Sequence, residues 1–572
     1  MSLQPLPATI EPFMSWEWEE IKPYYLELQE QPLNAATIDL WLRDWSHLQN
    51  LLSERRARLS VDLTADTTDT KAEAAYNHFT ANIRPHASQA DQILKQRLLD
   101  SNLTPTGFEV PLRNMRAQAA IFRPENLSLQ TEEDQLRSAY NKTIGAQTVV
   151  WDNQEQTLTQ LRVSFYTPDR SQREAIWHAM SQRRLQDRQH LNEIWQKIFK
   201  LRLKMSQNAS FDNYRQFRWQ EMIRLDYSPE TAQSFFDAIE KKVTPIVKQI
   251  YADKAQSAGL PTLRPWDVDA DVYPLALPAL RPFDDIATLD KIGAQVIHQV
   301  DPQLGHYFDT MRQENLLDLP NRKGKSPGAY CTTYAVTQRP FIFMNAVGIQ
   351  ADVKTLLHEA GHAFHVFERN HLPYSGQQHV TAEFAEVASM TMELLAAPYL
   401  AADQGGFYQD PADAIRARIQ HIEKIILFWP YMAIVANFQH WAYTHGRDAI
   451  DPAACDAHWT QLWHRFLPGI DWSGFEDVLA TGWHRKQHIF RYPFYYIEYG
   501  MAQLGAIQIW ARSQQNKPAA INAYRQALAL GGTKTLPDLY TAAGAQFAFD
   551  ETTVGDAINL LTSTINTLQA QL

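Results

Sequence analysis

The chain is poor in cysteine, in basic clusters and in long apolar runs, and each shortage excludes something. Two cysteines in 572 residues, Cys331 and Cys455, cannot build a disulfide framework. Such sparse thiol use fits a reducing compartment, and Cys331 reads as a small buried hydrophobe. The longest apolar run, Ile425 to Ala436, has 12 residues with Pro430 among them, too short to cross a bilayer. The opening Met1-Ser-Leu-Gln-Pro-Leu-Pro lacks a basic start followed by an apolar stretch. No signal peptide and no membrane partner are therefore expected, and a cytoplasmic location is. The net charge is −11 with pI near 6.0, and no polybasic run interrupts it, so nucleic acid is not an expected partner. No internal repeat or low-complexity segment is visible, and nothing in the pattern bears on oligomeric state.

What is present is a helix-rich globular chain. Hydrophobic residues make up 45% and charged residues 20%, and the length is enough for more than one lobe. Long amphipathic stretches cover about 16–58, 69–101, 169–208 and 229–257. Thr167-Pro168-Asp169 and Ser228-Pro229-Glu230 each offer a cap, a first-turn proline and an acid. A β-hairpin is expected at 147–166, with strands in Thr-Val-Val-Trp and Leu-Arg-Val-Ser-Phe and a turn near Asp152-Asn153. The proline-rich stretch 261–282 reads as an ordered connector.

The chemistry concentrates in His358-Glu359-Ala360-Gly361-His362. Apolar residues at Val353, Leu356, Leu357, Ala360, Phe364 and Phe367 give this segment a helical period, with Asp352 as a plausible N-cap. Positions four apart share a helix face, so His358 and His362 can offer two imidazoles to one metal ion. Glu359, a further 100° round, suits a base that takes a proton from water without being a ligand. The pattern is that of a zinc-dependent peptide hydrolase. A loop from Asn370 to His379 and a second amphipathic helix follow, carrying Glu383, Glu386 and Glu393 opposite its apolar side. One of these carboxylates can complete a two-His, one-Glu set with an open fourth position. Spacing does not choose among them, and His365, three beyond His362, competes for the place.

Two further segments frame the motif. Gly328-Ala-Tyr330-Cys331 precedes Arg339-Pro-Phe-Ile-Phe-Met-Asn345, which reads as a short strand opened by proline and therefore at a sheet edge. An exposed edge there could receive an extended peptide by strand addition. Later comes His488-Ile-Phe-Arg-Tyr-Pro-Phe-Tyr-Tyr-Ile-Glu-Tyr-Gly500, a tyrosine density that by itself suits a packed core as well as a site.

The run Thr381 to Leu395, with its E-V-A-S-M block, and the F-Y-Y-I-E-Y-G core of the tyrosine segment resemble the oligoendopeptidase F family of thimet-oligopeptidase-like zinc peptidases. That resemblance covers about residues 200–510. It implies one Zn²⁺ per chain, with Glu386 as third ligand, and leaves His365 beside the metal or the substrate. It implies that Tyr499 first, then Tyr492, Tyr496 and His488, face the zinc and hold the oxyanion. It places a substrate-binding strand at Gly328 and Tyr330. The implied fold is mostly α, two-lobed, with a deep substrate channel and a small β-sheet beside the active-site helix. A helical lobe is expected at 1–200 and a catalytic lobe at 201–572. The implied activity is endopeptidase cleavage of short oligopeptides. Its rivals are a C-terminal exopeptidase, gripping the terminal carboxylate with Arg485, Lys486 or Arg491, and a non-catalytic peptide binder.

Overall fold

Helices begin where the chain supplies acceptors for the orphan amides of a first turn. Ser228 accepts from the Thr231 N–H at 3.3 Å, and the helix Pro229–Lys242 follows with proline at its first position, as expected. At the other expected start the cap lies two residues later. Asp169, not Thr167, accepts from Ser171 and Gln172, and the helix runs Arg170–Gln186. A carboxylate is the stronger acceptor. Each long amphipathic stretch is two helices rather than one: Trp18–Glu30 and Ile38–Ala65, Thr70–His78 and Arg84–Asp100, Arg170–Gln186 and Arg188–Asn208, Pro229–Lys242 and Thr244–Ser257.

The computed structural model describes residues 4–165, 167–268, 279–446 and 448–572. Much of the proline-rich connector expected at 261–282 lies outside them. The fold is mostly α, with two small sheets among the described residues. The chain gathers into two compact units. The first takes Met1–Ala119, Leu280–Arg418 and Ala502–Phe547; the second takes Ala120–Ala279, Ile419–Met501 and Ala548–Leu572. No helix among the described residues is long and apolar enough to cross a membrane.

In the first unit, the helix Ile38–Ala65 turns Trp41, Trp45, Leu48 and Leu51 into a core shared with Trp18–Glu30 and Arg84–Asp100. The same unit holds a three-stranded sheet of β3 (Leu317–Pro320), β4 (Tyr330–Tyr334) and β5 (Arg339–Ala346), in the order β3-β5-β4. Here the expected edge is corrected. β5 is the central strand, parallel to β3 and antiparallel to β4; the edges are β3 and β4, and β4 carries Tyr330 and Cys331. Pro340 is tolerated because β3 pairs with β5 only from Ile342 onward, so no ladder partner meets the missing N–H.

In the second unit, the hairpin is shorter than expected. β1 (Thr148–Trp151) and β2 (Gln154–Thr157) pair antiparallel around Asp152 and Asn153, both in left-handed backbone at φ +49° and +60°. The second strand, expected in Leu161–Phe165, is replaced by the helix Leu158–Ser164. The Thr157 N–H donates to Gln160 Oε1 at 2.9 Å and the Gln160 N–H to Thr157 Oγ1 at 3.2 Å, a reciprocal cap that turns the chain into a helix.

Candidate active site

The motif helix runs Gln350–Arg369. Asp352 sits three residues inside its start, not at the N-cap expected of it. From there its carboxylate accepts the N–H groups of Val347, Gly348 and Ile349 at 2.7, 2.9 and 3.1 Å. One side chain thus satisfies three amides and fixes the chain's entry from β5 into the helix. The stripe Val353, Leu356, Leu357, Ala360 and Phe364 is buried.

The second helix, Ala382–Ala396, packs against the motif helix at close range. Gly361 makes that approach possible: a Cβ there would lie 2.6 Å from the Ala388 carbonyl oxygen and from Ser389 Cα. With the backbones so near, Glu386 reaches the histidines. Its Oε2 is 3.3 Å from His358 Nε2 and 3.8 Å from His362 Nε2. One donor atom from each of His358, His362 and Glu386 lies within 4.8 Å of the others, the grouping able to hold a metal found among the described residues. Glu383, Glu386 and Glu393 are all buried, so none belongs to a solvated face.

Partners outside this trio orient it. Glu393 Oε1 lies 2.6 Å from His358 Nδ1, and Lys354 Nζ lies 3.1 Å from the other oxygen of Glu393. A carboxylate on Nδ1 keeps a proton there and turns the ring so that Nε2 faces Glu386. The Ser389 hydroxyl donates to Glu386 Oε2 at 3.0 Å. Lys354 and Ser389 were not singled out from the sequence. Helical spacing offered a signal for both, since Lys354 is four before His358 and Ser389 three after Glu386.

The electrostatics favour positive charge at the trio and neutrality beside it. Burial opposes a proton on His358, yet hydrogen bonds to Glu386 and Glu393 raise it to about 10. Burial and the charge on His358 lower His362 to about 4. Glu386 is held below the usual carboxylate range: burial opposes this, but the His358 hydrogen bond and both imidazoles outweigh it. Burial lifts Glu359 to about 7, with Glu386 and Glu393 adding to it. The backbone of Cys331, on the edge strand β4, works against this rise.

The remaining candidates fall as follows. His365 is buried edge-on to Phe384, 6.0 Å between ring centres, and lies outside the trio. Burial holds its pKa well below the ordinary value, so the ring is neutral. Gly328, at φ +106°, is exposed just before β4, with its carbonyl bonded by Asn345 Nδ2 at 2.9 Å. The Tyr330 ring stacks on Phe343 at 4.8 Å, and its hydroxyl shares a 2.6 Å hydrogen bond with Thr64. In the second unit, His488 packs on Tyr496 at 4.6 Å, with Tyr492, Tyr495 and Tyr499 within 6.3 Å. Tyr495 joins that cluster although the sequence did not single it out; it stands four before Tyr499, one helical turn. Gly500 lies inside the helix Tyr496–Gln515, where a Cβ would run into Met432 Cε.

The family model for Peptidase family M3 matches residues 163–555, more than half of the chain and all three motif segments. The chain belongs to peptidase family M3. Within that family it resembles oligoendopeptidase F sequences. This M3 chain is 24% identical over 253 residues to an oligoendopeptidase F homolog of Borreliella burgdorferi, covering 43% of this chain and 41% of that one. It is 23% identical over 290 residues to the oligopeptidase PepF of Bacillus subtilis, covering 50% and 42%. It thus spans less than half the length of these two curated relatives. The solved structure of PZ peptidase A with an inhibitor is similar over 97% of this chain and 99% of its own, with TM-score 0.86 and 26% identity.

Proposed function

We propose that this M3 chain is a zinc-dependent endopeptidase acting on short oligopeptides. One observation carries the reading: His358, His362 and Glu386 converge within 4.8 Å while Glu359, next to His358, is buried and raised to about 7. Two imidazole nitrogens and one carboxylate form the donor set of a hydrolytic zinc site, and the Glu393–His358 hydrogen bond is the usual outer support of such a ligand. These residues fit the metal. When bound, zinc would supply a Lewis acid that polarises the scissile carbonyl and acidifies water.

The chain's own groups supply the rest. Glu359, with an affinity for protons near that of neutral solution, takes a proton from the attacking water and passes it to the leaving amine. The Tyr499 hydroxyl, with Tyr492, Tyr496 and His488 as neighbours, donates to the carbonyl oxygen as negative charge develops. The backbone from Gly328 into the edge strand β4 at Tyr330 receives the extended peptide by main-chain hydrogen bonds, which asks little of its sequence. The family's channel would exclude folded proteins by size, and a cytoplasmic setting suits such work.

Hydrolysis of an internally quenched peptide of about eight residues, blocked at both ends, tests the proposal. Wild type should cut it internally, lose activity to a chelator and regain it with zinc. Glu359→Gln should bind zinc normally and lose about 10²–10⁴-fold in kcat. Normal turnover by that variant would remove Glu359 from its role. Blocked ends also separate the rival exopeptidase, which cannot cut such a substrate. Lys486, one of the cations that rival would need, has its ammonium 3.6 Å from the Tyr496 ring centre, and burial lowers it to about 7, which weakens its grip on a terminal carboxylate.

A further inference from the structure

The segment that carries His488 and the tyrosines is irregular from Arg491 to Tyr495, and side chains of the same unit take several of its backbone groups. Arg202, fully buried on the helix Arg188–Asn208, donates from Nη1 to the Ile489 carbonyl at 2.9 Å and from Nη2 to the Phe490 carbonyl at 2.5 Å. The same guanidinium holds Glu133 Oε1 at 2.9 Å and the Tyr443 hydroxyl at 2.6 Å. Arg224 Nη2, also buried, donates to the Phe494 carbonyl at 2.6 Å and to Glu498 Oε1 at 2.7 Å. Arg218 Nε reaches the Pro493 carbonyl at 3.3 Å. The Phe494 N–H donates to Gln439 Oε1 at 2.7 Å, and Gln439 is itself fixed by a 2.9 Å bond to the Val435 carbonyl.

We propose that Arg202 and Arg224 are positioning residues: by clamping the carbonyls of Ile489, Phe490 and Phe494 they aim the hydroxyls of the His488–Tyr499 cluster for transition-state contact. This rests on the endopeptidase reading above. Three features point beyond ordinary folding. A guanidinium is a rigid planar fork, so two parallel bonds to consecutive carbonyls fix direction as well as distance, which an ammonium cannot do. Burying such a charge is costly, and a helical turn would satisfy the same carbonyls without it. Phe494, almost fully buried, stands in left-handed backbone at φ +66° between the two clamps, a conformation that persists only where the surroundings over-determine it. The Arg224 bond to Glu498 continues the clamp to the residue before Tyr499. A displacement of about 1 Å at such a donor can cost roughly 10²-fold in rate.

The test compares Arg202→Lys and Arg224→Lys in the zinc-loaded, full-length chain, using the blocked peptide. Each should lower kcat by about 10–100-fold while KM changes less than about twofold and bound zinc stays at one per chain. Combined with Tyr499→Phe, the further loss from Arg224→Lys should shrink below about threefold, because both changes remove the same aimed hydroxyl. Folded, zinc-loaded arginine variants with wild-type kcat would overturn the inference. So would a loss that multiplies in full on the Tyr499→Phe background, since that places the arginine's effect elsewhere. If both arginine variants fail to fold, Gln439→Met, which removes the acceptor for the Phe494 N–H, carries the same comparison. A wild type that never cuts the peptide ends the endopeptidase reading itself, whereas an active wild type with equally active variants ends only this one.

Discussion

Glu393 accepts from His358 and is braced by Lys354, so its effect on a metal should be felt through the imidazole. Glu393→Gln should weaken zinc by about 10–100-fold, read by competition with a chromophoric chelator; unchanged affinity would remove the residue from the site's support. Lys354→Met should matter less, because its side chain is 42% exposed and exposed pairs contribute under about 1 kcal/mol. A second carboxylate, Glu133, titrates for a different reason. Burial pushes it up, but Arg202 and Arg137 overcome this and hold it below the ordinary range. A depressed folded pKa stabilises fully above the unfolded value of about 4.3 and is lost as pH falls through the folded value. Wild-type thermal stability should therefore drop as pH falls below about 4.3, and the drop should be shallower in Glu133→Gln. At neutral pH that variant leaves Arg202 without its counter-charge and should cost about 3–5 kcal/mol, measured by denaturant unfolding.

Between elements, the decisive contact is the motif helix Gln350–Arg369 against Ala382–Ala396. Gly361→Ala would place a methyl 2.6 Å from backbone atoms of Ala388 and Ser389, which cannot yield as a flexible side chain would. The helices must separate, so the variant should lose about 1–3 kcal/mol in stability and bind zinc more weakly, because Glu386 retreats with its helix. Zinc titration together with thermal unfolding checks this, and a variant unchanged in both would show that Gly361 is incidental. The glycine inside His358-Glu-Ala-Gly-His362 was visible in the sequence as a residue, but its purpose was not. Its partner, the Ala388–Ser389 backbone, lies on another helix. The sheet teaches the same point. Pro340 suggested an edge, yet it opens a central strand, since only pairing partners decide where an N–H is missed.

At the scale of the molecule, the three candidate ligands belong to one unit of the chain. A ligand that binds the native state alone stabilises by about 4 kcal/mol at a thousand times its Kd. Added zinc should therefore raise the unfolding temperature, and hydrogen exchange should slow most in Gln350–Arg369 and Ala382–Ala396. Equal protection at the hairpin Thr148–Thr157, in the other unit, would argue against a metal seated at His358, His362 and Glu386. The division of the chain also shows why its organisation is hard to read along the sequence. Each unit is assembled from three separate stretches, and no run of composition marks their ends.

The sequence by itself determined what depends on neighbours within a turn or two. His358 and His362 share a face because they are four apart, the stripe beside them is buried by its period, and Ser228 starts its helix with its own hydroxyl. It also carried the family resemblance, in blocks short enough to read by eye. Only the tertiary structure decided that Glu386 lies near both histidines while Glu393 takes His358 Nδ1, that β5 is central with β4 at an edge, and that Arg202 and Arg224 hold the tyrosine segment. Each of those outcomes joins residues distant in the chain. Local spacing does not carry such pairings; close packing of helices and the need to satisfy buried polar groups do.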